Sequence, residues 1–166
     1  MKIPLAIAAY AAAAVAANFS IYLFGSSAAP VNAFILIGFD LVMRDYLHAH
    51  LSRLGMAAVI AASSLLTFLL APGAKQIAVA SGIAFLCAGT VDWLVFRTAK
   101  GSWLRRSNLS NTAGAAADSV IFPLIAFGGL FPSIMLLQFV CKTAGGALWA
   151  LAAAKFIGRD RANALC

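Results

Sequence analysis

The chain has 166 residues, 63% of them hydrophobic and only 10% charged, with a mean hydropathy of +0.95. Soluble domains run near half apolar and a quarter charged, so a water-soluble core and a disordered chain are both excluded, and an integral membrane protein is indicated. Twelve Lys and Arg against five Asp and no Glu give a formal charge of +7; because the positive charges sit between apolar runs, they read as topology signals rather than as a nucleic-acid-binding face.

A helix needs about 20 apolar residues to cross roughly 30 Å of hydrocarbon. The run Ile3–Phe24 is free of charge. It has the look of a signal peptide, with Lys2 in front and many Ala-x-Ala sites, but everything after it is membranous too, and a retained first helix is the better reading. The second run, 31–43, contains Asp40 and is expected to continue as a helix through Arg44, Asp45 and His48 to about residue 48. Helices are then expected at about 55–71, closed by Pro72-Gly73, at 76–96, at 112–130 with Pro123 midway, and at 133–157. The polar stretch 97–111 reads as an ordinary loop.

The connections test this division independently. Ten Lys and Arg (Lys2, Arg44, Arg53, Arg97, Lys100, Arg105, Arg106, Lys155, Arg159 and Arg161) fall at one side and only Lys75 at the other. Positive residues collect on the cytoplasmic side, so the asymmetry predicts an all-α polytopic bundle of six transmembrane helices with both termini in the cytoplasm. The whole of 1–166 is expected to form a single transmembrane domain in the inner or plasma membrane. Thirty-seven Ala and thirteen Gly suit close helix packing in lipid.

An ionisable side chain at the bilayer centre costs about 2.5–3.5 kcal/mol on insertion scales and usually lines a cavity or pathway. Four Asp (Asp40, Asp45, Asp92 and Asp118) lie in or beside the expected spans, with Lys142 the cation well inside one. Asp40, Arg44 and His48 recur every four residues and share a helix face. Lys142 follows Gln138 by one turn and adjoins Gly145 and Gly146, where glycine leaves room for a backbone or a ligand. An Asp92–Lys142 or Asp118–Lys142 pair could be a structural ion pair. The group as a whole favours a polar cavity for a polar ligand. Phe122 lies one turn from Asp118, and Phe85 two turns before Asp92. Aromatic faces with a carboxylate suit a flat heterocycle carrying amide-type N–H donors.

Other chemistries find no support. The chain has no G-x-x-x-x-G-K-[ST] loop, no G-x-S-x-G and no H-E-x-x-H. His48 and His50 point to different sides of a helix, which argues against a shared metal. Cys87, Cys141 and Cys166 form no CxxC pair and read as small hydrophobes. Neither an enzyme nor a cofactor is indicated.

Three stretches carry a resemblance. Gly38 to His48 (GFDLVMRDYLH) is similar to the arginine–aspartate motif in the second helix of the vitamin uptake transporter family. Ala80 to Phe85 (ASGIAF), followed by Asp92, is similar to its fourth helix. The most specific block runs from Trp103-Leu104-Arg105 through Ser107-Asn108-Leu109-Ser110 to Asp118-Ser119 and Ile121-Phe122. The resemblance implies a queuosine precursor transporter that imports a 7-deazaguanine base, or a similar vitamin-like compound. It implies a substrate site drawn from Arg44, Asp45, Phe85, Asp92, Asp118, Phe122 and Lys142. The alternative is a substrate-binding or assembly subunit of a multi-component vitamin transporter that does not transport alone. Expected partners are the small-molecule substrate and the bilayer, with a homo-oligomer or a separate energising ATPase possible. If uptake is coupled to protons, an intramembrane Asp is the natural carrier.

Overall fold

The computed structural model describes residues 3–70 and 72–157. Among them the chain forms six helices and no strand. Helix α1 spans Ile3–Phe24 and ends at Gly25, whose φ of 64° is the left-handed conformation that glycine adopts without a Cβ penalty. Helix α2 is a continuous rod over 29–48 built from three pieces: Ala29–Asn32, a π-helical turn Ala33–Ile37, and Gly38–His48. Helix α3 spans Arg53–Leu70, its start capped by the Ser52 hydroxyl, which accepts from the Gly55 N–H at 3.0 Å. Helix α4 spans Lys75–Thr98, α5 Trp103–Phe127 and α6 Pro132–Ile157.

Four of these, Ile3–Phe24, Arg53–Leu70, Lys75–Thr98 and 132–154 of α6, are long and apolar enough to cross a membrane. At about 1.5 Å per residue, α2 and α5 are also long enough for a ~30 Å core. Their polar residues are what set them apart, and those residues point inward. Asp40, Arg44 and Asp45 of α2 are buried, as are Ser107, Ser110, Asn111, Asp118 and Ser119 of α5. The outer surface instead carries Leu23, Leu66, Leu69, Leu94, Leu136 and Leu151, all more than 40% exposed. A water-soluble fold places these classes the other way round. Leucine outside and charge inside is the arrangement lipid selects.

The fifth helix corrects the sequence reading. It starts at Trp103, not at 112, so most of the supposed 97–111 loop is helical. The start is fixed by the Ser102 hydroxyl, which accepts from the Arg105 N–H. A polar stretch resembles a loop only if its polar atoms face water, and here Ser107, Ser110 and Asn111 face other helices. The same helix stops at Phe127, before 130, because Gly128 turns left-handed at φ 71°. The 55–71 helix was expected to reach Ala71, which lies outside the described residues, as do Lys2, Arg159, Arg161 and Cys166.

A close backbone approach joins α2 to α6. Gly38 faces Gly145 and Gly146, and a Cβ on Gly145 would run into the Phe34 carbonyl of the π-helical turn. From α6, the Trp149 indole N–H donates to the Ile35 carbonyl at 3.0 Å, and its ring meets Phe39 edge-on at 5.1 Å. The glycines expected to make room beside Lys142 thus make room for a backbone. This contact seats Lys142, one turn earlier on α6, against α5.

Candidate functional site

Asp118 of α5 and Lys142 of α6 form an ion pair at 2.6 Å. Lys142 also donates to the Gln138 side-chain oxygen at 2.7 Å. Lys142 sits ten residues into a helix that begins at Pro132, which at 1.5 Å per residue is about 15 Å deep, near the middle of a ~30 Å hydrocarbon layer. The pair forms one wall of a cleft whose other walls come from α1 (Asn18), α2 (Asn32) and α4 (Ser81, Phe85), with Phe122 one turn above Asp118. Two amides are fixed from behind: Asn18 donates to Thr67 at 3.2 Å, and Asn32 to the Ala17 carbonyl at 2.9 Å.

Three polar atoms of the cleft residues remain unengaged. The second oxygen of Asp118 and the amide oxygen of Asn32 accept nothing, and the Gln138 amide nitrogen donates to nothing. Buried polar groups in folded proteins are nearly always paired. Three unpaired ones beside two aromatic rings are what a polar, flat ligand would satisfy. The cleft volume is about 30 Å³, room for about two water molecules at 10–15 Å³ each. A ring-sized ligand therefore needs a wall to move, and half-buried Phe122 is the freer of the two rings.

Of the seven residues expected at the site, Phe85, Asp118, Phe122 and Lys142 meet in this cleft. Arg44, Asp45 and Asp92 are brought together elsewhere, nearer the end of the bundle that carries Arg53, Arg97 and Arg105. Arg44 is fully buried, bound to Asp40 at 2.5 Å, and its guanidinium lies 5.2 Å from the Phe85 ring centre. Gly89 makes room for it, since a Cβ there would stand 3.5 Å from the Arg44 Cδ. Asp45 accepts from the Ser107 hydroxyl and, at 3.3 Å, from the Ser110 hydroxyl. Asn111 supports Ser107 with a 3.3 Å bond from its amide. Asp92 is fully buried 3.9 Å from His48; the Ser110 hydroxyl and the Asp45 carboxyl also stand close, but neither Asp92 oxygen makes a hydrogen bond of ordinary geometry.

Sequence reasoning missed Asn18, Asn32, Ser107, Ser110 and Asn111. A signal existed for the last three. Ser107, Ser110, Asn111, Gly114 and Asp118 recur at three- and four-residue steps, so they mark one small, polar helix face.

No curated protein and no solved structure matches the chain. Residues 4–154 match the family described as "Putative vitamin uptake transporter". That match covers nearly the whole length, and it coincides with a helical bundle that buries charge around a central cleft. The chain belongs to this vitamin uptake transporter family.

Proposed function

We propose that this membrane transporter imports a flat, uncharged heterocycle of the 7-deazaguanine class, a queuosine precursor base, and binds it in the Asp118–Lys142 cleft. The observation that carries the reading is the charge balance of that cleft together with its unengaged atoms. Asp118 and Lys142 cancel each other, so a neutral ligand enters without disturbing the sum. An anionic vitamin would draw Lys142 away and strand a buried carboxylate, a loss of about 3–5 kcal/mol when a buried pair is broken. A deazaguanine edge supplies N–H donors for the Asp118 and Asn32 oxygens and a carbonyl for the Gln138 amide. Phe85 and Phe122 provide faces for the ring.

The test is competition for labelled 7-deazaguanine uptake in a precursor-auxotrophic host. Unlabelled 7-deazaguanines should displace the label while carboxylate vitamins do not. Displacement by a carboxylate vitamin alone rejects the substrate.

A further inference from the structure

Asp92 stands apart from the other buried acids among the described residues: Asp40 is paired with Arg44, and the other two have purposes already described. A structural carboxylate is held as Asp45 is, by two hydroxyl donors. A ligand-facing carboxylate lines the cleft as Asp118 does. Asp92 is 0% exposed, lines no cavity wall among those described, and has no hydrogen bond of ordinary geometry to either oxygen, although the Ser110 hydroxyl and the Asp45 carboxyl stand close by. A buried carboxylate so poorly satisfied carries much of the desolvation penalty of an unmade hydrogen bond and calls for an explanation.

Its surroundings supply one. The charged groups facing it are Arg44, Asp45 and His48 and, more weakly, Asp40, all from α2; α5 presents uncharged Ser110 and Gly114. The His48 Nδ1 stands 3.9 Å from an Asp92 oxygen and has no hydrogen-bond partner. The same histidine lines a second cavity of about 110 Å³ together with Arg53, Gly89 and Trp93, at the arginine-bearing end of the bundle. His48 therefore stands between the buried acid and a space large enough for several waters. Arg44 separates this cavity from the ligand cleft, resting on Phe85, which lines the cleft, and on Gly89, which lines the cavity.

From this juxtaposition we propose that Asp92, with His48 as relay, is the proton-exchange site that drives uptake, separate from the ligand cleft; the proposal rests on the transporter reading above. The step is proton transfer alone. The His48 imidazolium gives its proton to the Asp92 carboxylate, or takes it back, and exchanges it with water in the second cavity. Two facing carboxylates repel when both are charged, and a proton on Asp92 relieves its repulsion with Asp45. A charged Asp92 pulls on Arg44; a neutral one leaves Arg44 to Asp40 and to Phe85. Protonation is thereby felt at the ring that floors the cleft.

The full chain in proteoliposomes separates the steps. Exchange of labelled base across the membrane needs only binding and alternation; accumulation under an imposed inward proton gradient also needs coupling. Wild type should do both. Asp92→Asn should exchange near the wild-type rate while gradient-driven accumulation falls at least tenfold, and His48→Gln should keep exchange with reduced accumulation. Asp118→Asn should lose both. Accumulation by Asp92→Asn at the wild-type level overturns the proposal, as does loss of its exchange together with its accumulation. If Asp92→Asn does not fold, unchanged accumulation by His48→Gln overturns it instead. Wild-type accumulation indifferent to the proton gradient rejects the coupling site alone. A wild type that neither binds nor exchanges the base rejects the transporter reading and this site with it.

Discussion

A carboxylate and an ammonium 2.6 Å apart at mid-bundle are expensive residues, and their cost bounds what they are for. Each costs about 2.5–3.5 kcal/mol to place at a bilayer centre on insertion scales. Replacing a buried pair by apolar groups of similar volume is often neutral or stabilising by about 1–4 kcal/mol. Stability alone is a poor reason to keep such a pair, and the free second oxygen of Asp118 supplies a better one. Asp118→Asn keeps the shape but turns a two-fold anionic acceptor into an amide. Losing a charge-assisted bond worth about 1.5–3 kcal/mol should weaken base binding roughly 10- to 100-fold. Equilibrium binding to the purified variant measures this, and wild-type affinity at normal expression would make Asp118 structural. The sequence alone singles out Asp118 and Lys142 because charge is anomalous in an apolar run. It could not separate them from Arg44, Asp45 and Asp92, since which buried charges share a cavity depends on how the helices pack. Asn18 and Asn32 were equally invisible, because a lone amide in an alanine-rich run carries no period.

At the scale of single helices, length and hydropathy fixed the rods, while polarity misplaced one boundary. The start of α5 was missed by nine residues because inward-facing Ser107, Ser110 and Asn111 have the composition of a solvated loop. The π-helical turn Ala33–Ile37 was not legible either. It depends on α6, where Gly145 lets the Phe34 carbonyl come close and Trp149 donates to Ile35. That contact gives a sharp contrast between two glycines. A methyl at Gly145 meets rigid backbone, whereas one at Gly55 meets only the Ser52 and Leu51 side chains at 3.4 Å and beyond. Gly145→Ala should lose about 1–3 kcal/mol through overpacking. Gly55→Ala should be neutral, or stabilising by up to about 1 kcal/mol, since alanine is the better helix former. Thermal unfolding of both variants in detergent reads the difference; equal midpoints would refute the close α2–α6 contact.

Across the whole molecule, leucine-rich outer faces surround a column of buried charge. The column runs from Asp118 and Lys142, past Phe85 and Arg44, to Asp92 and His48. Inward polarity was legible in the sequence as charges inside apolar runs, but its division into a cleft and a separate acid was not. With Arg44 buried inside α2, the sequence still carries nine Lys and Arg near one side against Lys75 at the other, and this asymmetry predicts the orientation of this column. Reporter fusions after Phe24 and Phe131 should read outside, and those after Lys100 and at the C-terminus inside; a C-terminal fusion reading outside would reverse the cleft. The sharpest test of the proposal that this chain by itself carries a 7-deazaguanine base through the membrane is uptake of labelled base by precursor-auxotrophic cells expressing this chain alone. Uptake should rise well above the empty host and be abolished by unlabelled 7-deazaguanines. Uptake at the level of the empty host, restored only when a separate ATPase module is co-expressed, would contradict it.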